Sequence, residues 1–273
     1  MKKIGKILAA NRSEIAIRIF RAAEESGIKT AAIYSKEDRF AIHRFKTDES
    51  YLVGEGKGPI QAYLDIDSII KIAKDAKVDA IHPGYGFLSE SPELAEQCEK
   101  NDITFIGPSK EILKRFGNKT EAKKVAEEAK VGTVPSVLVT KENLKSVEKE
   151  VEKIGYPVIV KASWGGGGRG MRVVRSSNEL IDQITTAQSE SLKAFGKDEV
   201  FIEKFLEDAA HIEVQILGDR HGNILHLFER DCSLQRRHQK IIERAPAHFL
   251  ENKTREEICN AAIKIAKQVK YLS

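Results

Sequence analysis

The stretch that decides the fold of this 273-residue chain is KASWGGGGRGMRVV, residues 161–174. Four consecutive glycines lie between two apolar, strand-like segments, and Arg169 and Arg172 follow them. Glycine loses more backbone entropy on ordering than any other residue, so such a run needs a structural reason. A flexible linker is usually rich in serine and is not enclosed by strands. The pattern therefore predicts the tip of a β-hairpin that comes very close to a ligand.

The composition of this tip suits an anionic ligand. Successive glycine N–H groups can point at one anion because no Cβ stands in the way, and Lys161 and Arg169 add positive charge. The common phosphate loop G-x-x-x-x-G-K-[ST] is not matched, because Gly117-Asn118-Lys119-Thr120 lacks the adjacent Gly-Lys pair and position 112 is isoleucine. The stretch therefore predicts a glycine-rich flap over a nucleotide.

Two later segments are candidates for the rest of such a site. EKFLE, residues 203–207, follows a strand-like run, and backbone groups at a strand end between two lobes can recognise an adenine edge. CSLQRRHQK, residues 232–240, concentrates glutamine, arginine, histidine and lysine. Taken alone, this second segment is as consistent with a solvated basic loop as with the wall of an anion site.

Strand-like and helix-like segments alternate at the start of the chain, which predicts βαβ units and a parallel sheet. We expect an open, Rossmann-like α/β domain over residues 1–108, although no G-x-G-x-x-G follows the first strand. A helical linker over 109–136, a flap subdomain over 137–206 and the start of a further lobe over 207–273 are expected to follow.

Composition excludes several classes of protein. The 45 basic and 41 acidic residues give a net charge of +4 and are interspersed, so no nucleic-acid partner is predicted. No stretch approaches membrane-spanning length, and no membrane partner is predicted. The three cysteines are far apart and form no C-x-x-C pair, which favours a reducing, cytoplasmic location.

Four motifs in one order carry a family resemblance: HPGYGFLSE (82–90), KASWGGGGRGMRVV, EKFLE and ERDCSLQRRHQK (229–240). Together they resemble the biotin carboxylase region of biotin-dependent carboxylases, which have the ATP-grasp fold. Trp164, AFGKDEVFIEKF (194–205) and ILGDRHGNILHLFERDC (216–232) look most like the pyruvate carboxylase branch. The resemblance covers essentially the whole chain.

The resemblance implies a ligase that forms carboxyphosphate from ATP and bicarbonate and passes the carboxyl group to N1′ of biotin. It implies that Lys119 and Lys161 hold phosphate oxygens and that Gly167 and Gly168 lie in the flap. Glu203, Lys204 and Leu206 would form the adenine hinge. The implied pocket residues are His211, Gln235 and His238, with His238 also catalytic beside Lys240, which would contact bicarbonate or carboxyphosphate.

The same resemblance implies Mg²⁺ or Mn²⁺, biotin as the carrier, a biotinyl carrier domain as partner and a homo-oligomer. In this family the metal carboxylates lie beyond the position of Ser273, so no metal ligand is predicted here. The ATP-grasp fold is expected to be incomplete at the C-terminus and the fragment to be inactive alone. Ser13 and Ala210 depart from the glycine and arginine usual at their positions. Alternatives are a biotin carboxylase subunit of an acetyl- or acyl-CoA carboxylase, another ATP-grasp ligase, and a non-catalytic nucleotide-binding module.

Overall fold

The computed structural model describes residues 3–140, 143–144, 146–163, 171–236 and 239–273. The chain divides into two compact units, one running to Lys114 and taking in Leu272–Ser273, the other spanning Arg115–Tyr271. The finer boundaries at 108, 136 and 206 stay a prediction. Within the described ranges no helix is both long and apolar enough to cross a bilayer.

The first unit is a five-stranded, all-parallel sheet in the order β3-β2-β1-β4-β5. Its strands are β1 (Lys6–Ala9), β2 (Lys29–Tyr34), β3 (Glu49–Leu52), β4 (Ala80–His82) and β5 (Thr104–Phe105). Its helices are α1 (Ser13–Glu25), α2 (Pro59–Tyr63), α3 (Ile66–Asp75) and α4 (Pro92–Lys100), with a 3₁₀ turn at Ile42–Phe45, and α5 (Lys110–Gly117) follows. The predicted parallel α/β architecture of this region is confirmed.

Local sequence explains these helices. In α1 the buried residues Ala16, Ile19, Phe20 and Ala23 recur at helical spacing, so one face packs on the sheet. The side chain of Ser91 accepts a hydrogen bond from the Leu94 N–H and caps α4. The central strands are buried on both faces because helices cover both sides of a parallel sheet.

The HPGYG motif leaves the carboxyl end of β4 beside the end of β1. There the buried Asn11 amide donates to the carbonyls of Pro83 at 2.7 Å and Tyr85 at 2.8 Å. Gly84 has φ +66°, and a Cβ at this position would lie 2.8 Å from Asn11 Nδ2. The backbone of the motif is therefore held directly against the asparagine side chain.

The second unit contains two antiparallel sheets, ordered β6-β9-β7-β8 and β10-β11-β12. The strands are β6 (Ser136–Val139), β7 (Val158–Ala162), β8 (Arg172–Val174), β9 (Val200–Lys204), β10 (Ile212–Gly218), β11 (Ile224–Arg236) and β12 (Gln239–Arg244). The helices are α6 (Lys119–Glu128), α7 (Val147–Ile154), α8 (Ser177–Phe195) and α9 (Asn252–Gln268). The segments that flank the glycine run, β7 and β8, pair antiparallel as a hairpin would require; the glycines themselves lie outside the described residues.

The two faces of the four-stranded sheet pack against different elements. Val158, Val160, Val200 and Ile202 are fully buried in a cluster with α7 and α8. Side chains alternate along a strand, so the residues between these four point to the opposite face. That face carries Lys161 and Glu203 beside the buried side chains of Ile159 and Phe201, and Lys123 of α6 lies against it.

We predict that Gly84→Ala lowers the free energy of unfolding more than Gly86→Ala does. Both glycines have φ +66°, but nothing lies within 4 Å of a Cβ built on Gly86. The shared left-handed backbone costs about 1–2 kcal/mol in either variant, and displacing Asn11 adds about 1–3 kcal/mol in Gly84→Ala only. Thermal and urea unfolding measure the difference; equal losses in the two variants would contradict the packing role of Asn11.

Candidate functional site

The face of the four-stranded sheet opposite α7 and α8 carries a carboxylate held between two lysines. Glu203 Oε2 on β9 lies 2.5 Å from the Lys161 Nζ on β7, and Glu203 Oε1 lies 2.6 Å from the Lys123 Nζ on α6. The strand register pairs Ile159 with Glu203 and Lys161 with Phe201, so Lys161 and Glu203 are diagonal neighbours on one face. We call Lys123, Lys161 and Glu203 the sheet triad.

The sheet triad is largely shielded from water. The side chains of Lys123, Glu203 and Lys161 are 20%, 13% and 24% exposed. Burial alone would raise the pKa of the Glu203 carboxyl, but hydrogen bonds from both lysine ammoniums outweigh it and hold that pKa below its ordinary value. Glu203 is therefore an anion, and the triad carries a net charge of about +1.

Helix α6 begins close to the end of β7. The Lys119 backbone N–H donates to the Ser163 carbonyl at 3.4 Å, and the Asn118 side chain accepts from the N–H groups of Thr120 and Glu121. The start of the helix, with its partial positive charge, therefore lies next to the strand that bears Lys161. This places Lys119 at the same end of β7 as the glycine run; Gly167 and Gly168 fall outside the described residues.

The predicted hinge lies immediately after β9. The Lys204 ammonium donates to the carbonyls of Gly155 at 3.1 Å and Tyr156 at 3.0 Å, so its side chain secures the loop before β7. A cleft of about 470 Å³ opens beside it, lined by Pro157 and residues 204–209. Leu206 is 52% exposed there. The cleft offers a ligand the apolar surface of Leu206, while the Lys204 side chain and the N–H groups of Lys204 and Phe205 are engaged within the protein.

A second charged cluster lies on the β10-β11-β12 sheet. Glu213 Oε1 lies 3.1 Å from His211 Nε2 and also contacts the Lys240 ammonium. Glu213 Oε2 lies 3.1 Å from Arg230 Nη2. Arg230 also contacts Glu243 at 3.1 Å. We call these five residues the strand cluster. Two acids, Glu213 and Glu243, therefore share the cations of this cluster.

The contacts within the strand cluster keep both Glu213 and Lys240 ionised. Burial would raise the pKa of Glu213, but hydrogen bonds from Lys240 and His211 lower it overall. For Lys240, burial would lower the pKa, and the pairing with Glu213 raises it overall. The pair is therefore ionised at neutral pH, and Lys240 is a charged donor available to an anion that displaces Glu213.

Gln235 lies on β11 opposite Lys240, and its amide donates to the Cys232 carbonyl at 2.9 Å. His238 lies outside the described residues, so its predicted catalytic and pocket roles stay predictions. The structure thus brings Lys161 together with Glu203, and His211 together with Lys240.

Divalent metal has no matching ligand set in the part of the chain that the structure describes. No group of three or more His, Cys, Asp or Glu side chains there could hold an ion. The carboxylates of Glu203 and Glu213 are already engaged by lysine and arginine. No step of the chemistry is therefore assigned to a metal held by these residues.

Sequence reasoning missed Lys123, Arg230 and Glu243. Lys123 follows Lys119 by four residues, so both lie on one helical face, and this spacing is the signal that could have found it. Arg230 and Glu243 lie on adjacent antiparallel strands, and their meeting depends on a register that contains β-bulges. No local pattern predicts that register.

Two protein-family models match this chain, one in each half. Residues 3–113 match the model described as biotin carboxylase, N-terminal domain. Residues 118–273, more than half of the chain, match the model described as carbamoyl-phosphate synthase L chain, ATP binding domain. These two matches join close to the division between the two compact units.

Individual relatives agree with the family models. The pyruvate carboxylase of Bacillus subtilis (strain 168) is 56% identical over 272 residues, which is 100% of this chain and 24% of that protein. The mitochondrial pyruvate carboxylase of Homo sapiens is 53% identical over 270 residues, 99% of this chain and 23% of that protein. The chain thus spans about a quarter of the length of these curated relatives.

Solved structures match equally well. A Rhizobium etli pyruvate carboxylase variant with the activator acetyl coenzyme A has a TM-score of 0.91 and 54% identity, covering 99% of this chain and 24% of that one. The biotin carboxylase domain of Hydrogenobacter thermophilus 2-oxoglutarate carboxylase, with MgADP, ADP and bicarbonate, has a TM-score of 0.93 and 43% identity, covering 100% and 60%.

The predicted fold class, an open parallel-sheet domain followed by an ATP-grasp fold, is confirmed by these matches. The resemblance found in the sequence motifs is confirmed as well. The chain therefore belongs to the biotin carboxylase family, with a biotin carboxylase N-terminal domain followed by an ATP-binding domain of the carbamoyl-phosphate synthase L chain type.

Proposed function

We propose that this chain supplies the nucleotide-binding part of a biotin carboxylase that uses ATP and bicarbonate to carboxylate biotin. The observation that carries the proposal is the sheet triad. Its two lysines and one glutamate lie on the sheet face opposite α7 and α8, where β7 and α6 meet. A net positive, partly buried group is suited to polyphosphate. The 56% identity, over the whole of this chain, to the corresponding region of the Bacillus subtilis pyruvate carboxylase supports the same proposal.

In the proposed reaction a bicarbonate oxygen attacks the γ-phosphorus of ATP, the bond to the β-phosphate oxygen breaks, and ADP leaves. The resulting carboxyphosphate transfers its carboxyl group to N1′ of biotin, its C–O bond to the phosphate breaks, and the released inorganic phosphate takes up the N1′ proton. Lys119 and Lys161 neutralise phosphate oxygens, and the cleft beside Leu206 receives the adenine. The protein contributes chiefly positioning and charge stabilisation.

Lys240 is proposed as the residue that contacts bicarbonate or carboxyphosphate. Its ammonium is ionised and lies against Glu213 on a partly exposed strand. An oxyanion of the substrate can replace one Glu213 oxygen, since Arg230 continues to neutralise that carboxylate. His238, Gln235 and the glycines at 167 and 168 are proposed to complete the pocket.

The wider assignments are part of the same proposal. Pyruvate is the proposed final acceptor, a biotinyl carrier domain the proposed partner, and a homo-oligomer the proposed assembly. Magnesium or manganese is the proposed metal, supported by the MgADP in the Hydrogenobacter thermophilus domain. A cytoplasmic location is supported by the three cysteines, which are free and buried.

We expect Lys161→Ala to weaken ATP binding because a charge-assisted contact to phosphate is lost. The cost should be about 1.5–3 kcal/mol, roughly a 10- to 150-fold rise in the dissociation constant. Isothermal titration of the purified chain with ATP measures it. Lys193→Ala removes an exposed lysine from the end of α8 and is the matched control. Unchanged ATP affinity in Lys161→Ala would overturn the phosphate assignment.

We further expect the protein that carries this chain to release ADP from ATP only when bicarbonate is present, and faster when free biotin is added. A coupled assay for ADP measures both dependences. ATP cleavage that ignores bicarbonate and responds to another carboxylate would favour a different ATP-grasp ligase. Nucleotide binding without turnover would favour a non-catalytic module.

A further inference from the structure

Lys123 is the one member of the sheet triad to which no part in phosphate binding or in the adenine hinge has been given. Its ammonium lies 2.6 Å from Glu203 Oε1 and 2.8 Å from the Val134 carbonyl, and it stands 5.6 Å from the centroid of the Phe201 ring. The ammonium is therefore held on three sides by its own unit. Among the described residues the Lys161 ammonium contacts Glu203 Oε2. Lys123 is the fixed partner of the carboxylate, and Lys161 stands at the strand end nearest the glycine run.

This arrangement solves an electrostatic difficulty of the proposed site. If Lys161 were the sole partner of Glu203, any polyphosphate that recruited Lys161 would leave a shielded carboxylate unpaired. Breaking such a pair is strongly unfavourable because the remaining charge is removed from water without compensation. The unpaired carboxylate would also repel the incoming phosphate.

We propose that Lys123 is a positioning residue that keeps Glu203 neutralised when Lys161 turns from the carboxylate to the polyphosphate of a nucleotide. The inference rests on the proposed function, since it assigns Lys123 a part in the binding of ATP by the same face. Lys123 does not touch the nucleotide in this scheme. It acts through Glu203, whose charge it balances, and thereby leaves the Lys161 ammonium available for phosphate.

The site offers a variant that isolates this role. Glu203→Gln keeps the size and most hydrogen-bonding capacity of the side chain but removes its charge, so the need for Lys123 disappears with it. A residue that merely supported the packing of α6 would matter equally with glutamate or glutamine at position 203. The coupling between the two positions therefore separates charge compensation from structural support.

The experiment measures ATP dissociation constants by isothermal titration for the chain and its variants at neutral pH. Lys123→Met is expected to weaken ATP binding about tenfold or more, and Lys123→Arg to restore most of the affinity by restoring the charge. In the Glu203→Gln background, Lys123→Met is expected to change the affinity less than about twofold. Lys124→Met is the matched control, since Lys124 is the next residue of α6, 59% exposed and paired with Glu121.

Thermal unfolding of each variant accompanies the titrations. If Lys123→Met does not fold, Lys123→Gln, which keeps a donor for the Val134 carbonyl, is compared in the same two backgrounds. Equal losses of affinity with glutamate and glutamine at position 203, or no loss with glutamate, would overturn the role of Lys123. A wild-type chain that binds no ATP would instead overturn the proposed function and this inference together.

Discussion

The register between β7 and β9 is the constraint on which the rest of the second unit depends. Pairing of Lys161 with Phe201 and of Ile159 with Glu203 sets which side chains share a face. A shift of one residue would turn the lysine and the glutamate toward α7 and α8, where Val158, Val160, Val200 and Ile202 now form the core. Burial of these four apolar side chains thus keeps Lys161 and Glu203 on the opposite face. The same strand register fixes both the apolar core and the candidate site.

The two charged groups of the second unit share one electrostatic arrangement. In each, a partly buried carboxylate is contacted by more than one cation, Glu203 by two lysines and Glu213 by Lys240 and Arg230. A carboxylate held in this way stays ionised even though burial opposes its charge. Each of these lysines is therefore held in place by an internal acid.

In the N-terminal unit an uncharged side chain likewise bonds to more than one partner. Asn11 at the end of β1 holds the main chain of the HPGYG motif at the end of β4 by two hydrogen bonds from one amide. The turn after a parallel strand has no ladder to satisfy its carbonyls, so a neighbouring side chain supplies the donors. Gly84 is required there because the asparagine occupies the space of a Cβ. The motif therefore has a packing role at the end of the parallel sheet.

The sequence by itself determined the alternating α/β start, the hairpin that encloses the glycine run, and the family, because these depend on local periodicity and on long motifs. The family resemblance also singled out Lys161, Glu203 and Lys240 as candidates for one site, and of these the structure brings Lys161 and Glu203 together. The sequence did not determine that Lys204 secures the loop at Gly155, or that Lys123 and Arg230 join the two charged clusters. Those facts depend on which strands pair and in what register, and on which helix lies over which sheet face. Such contacts join residues far apart in the chain, where local pattern carries no information, and only the tertiary structure decides them.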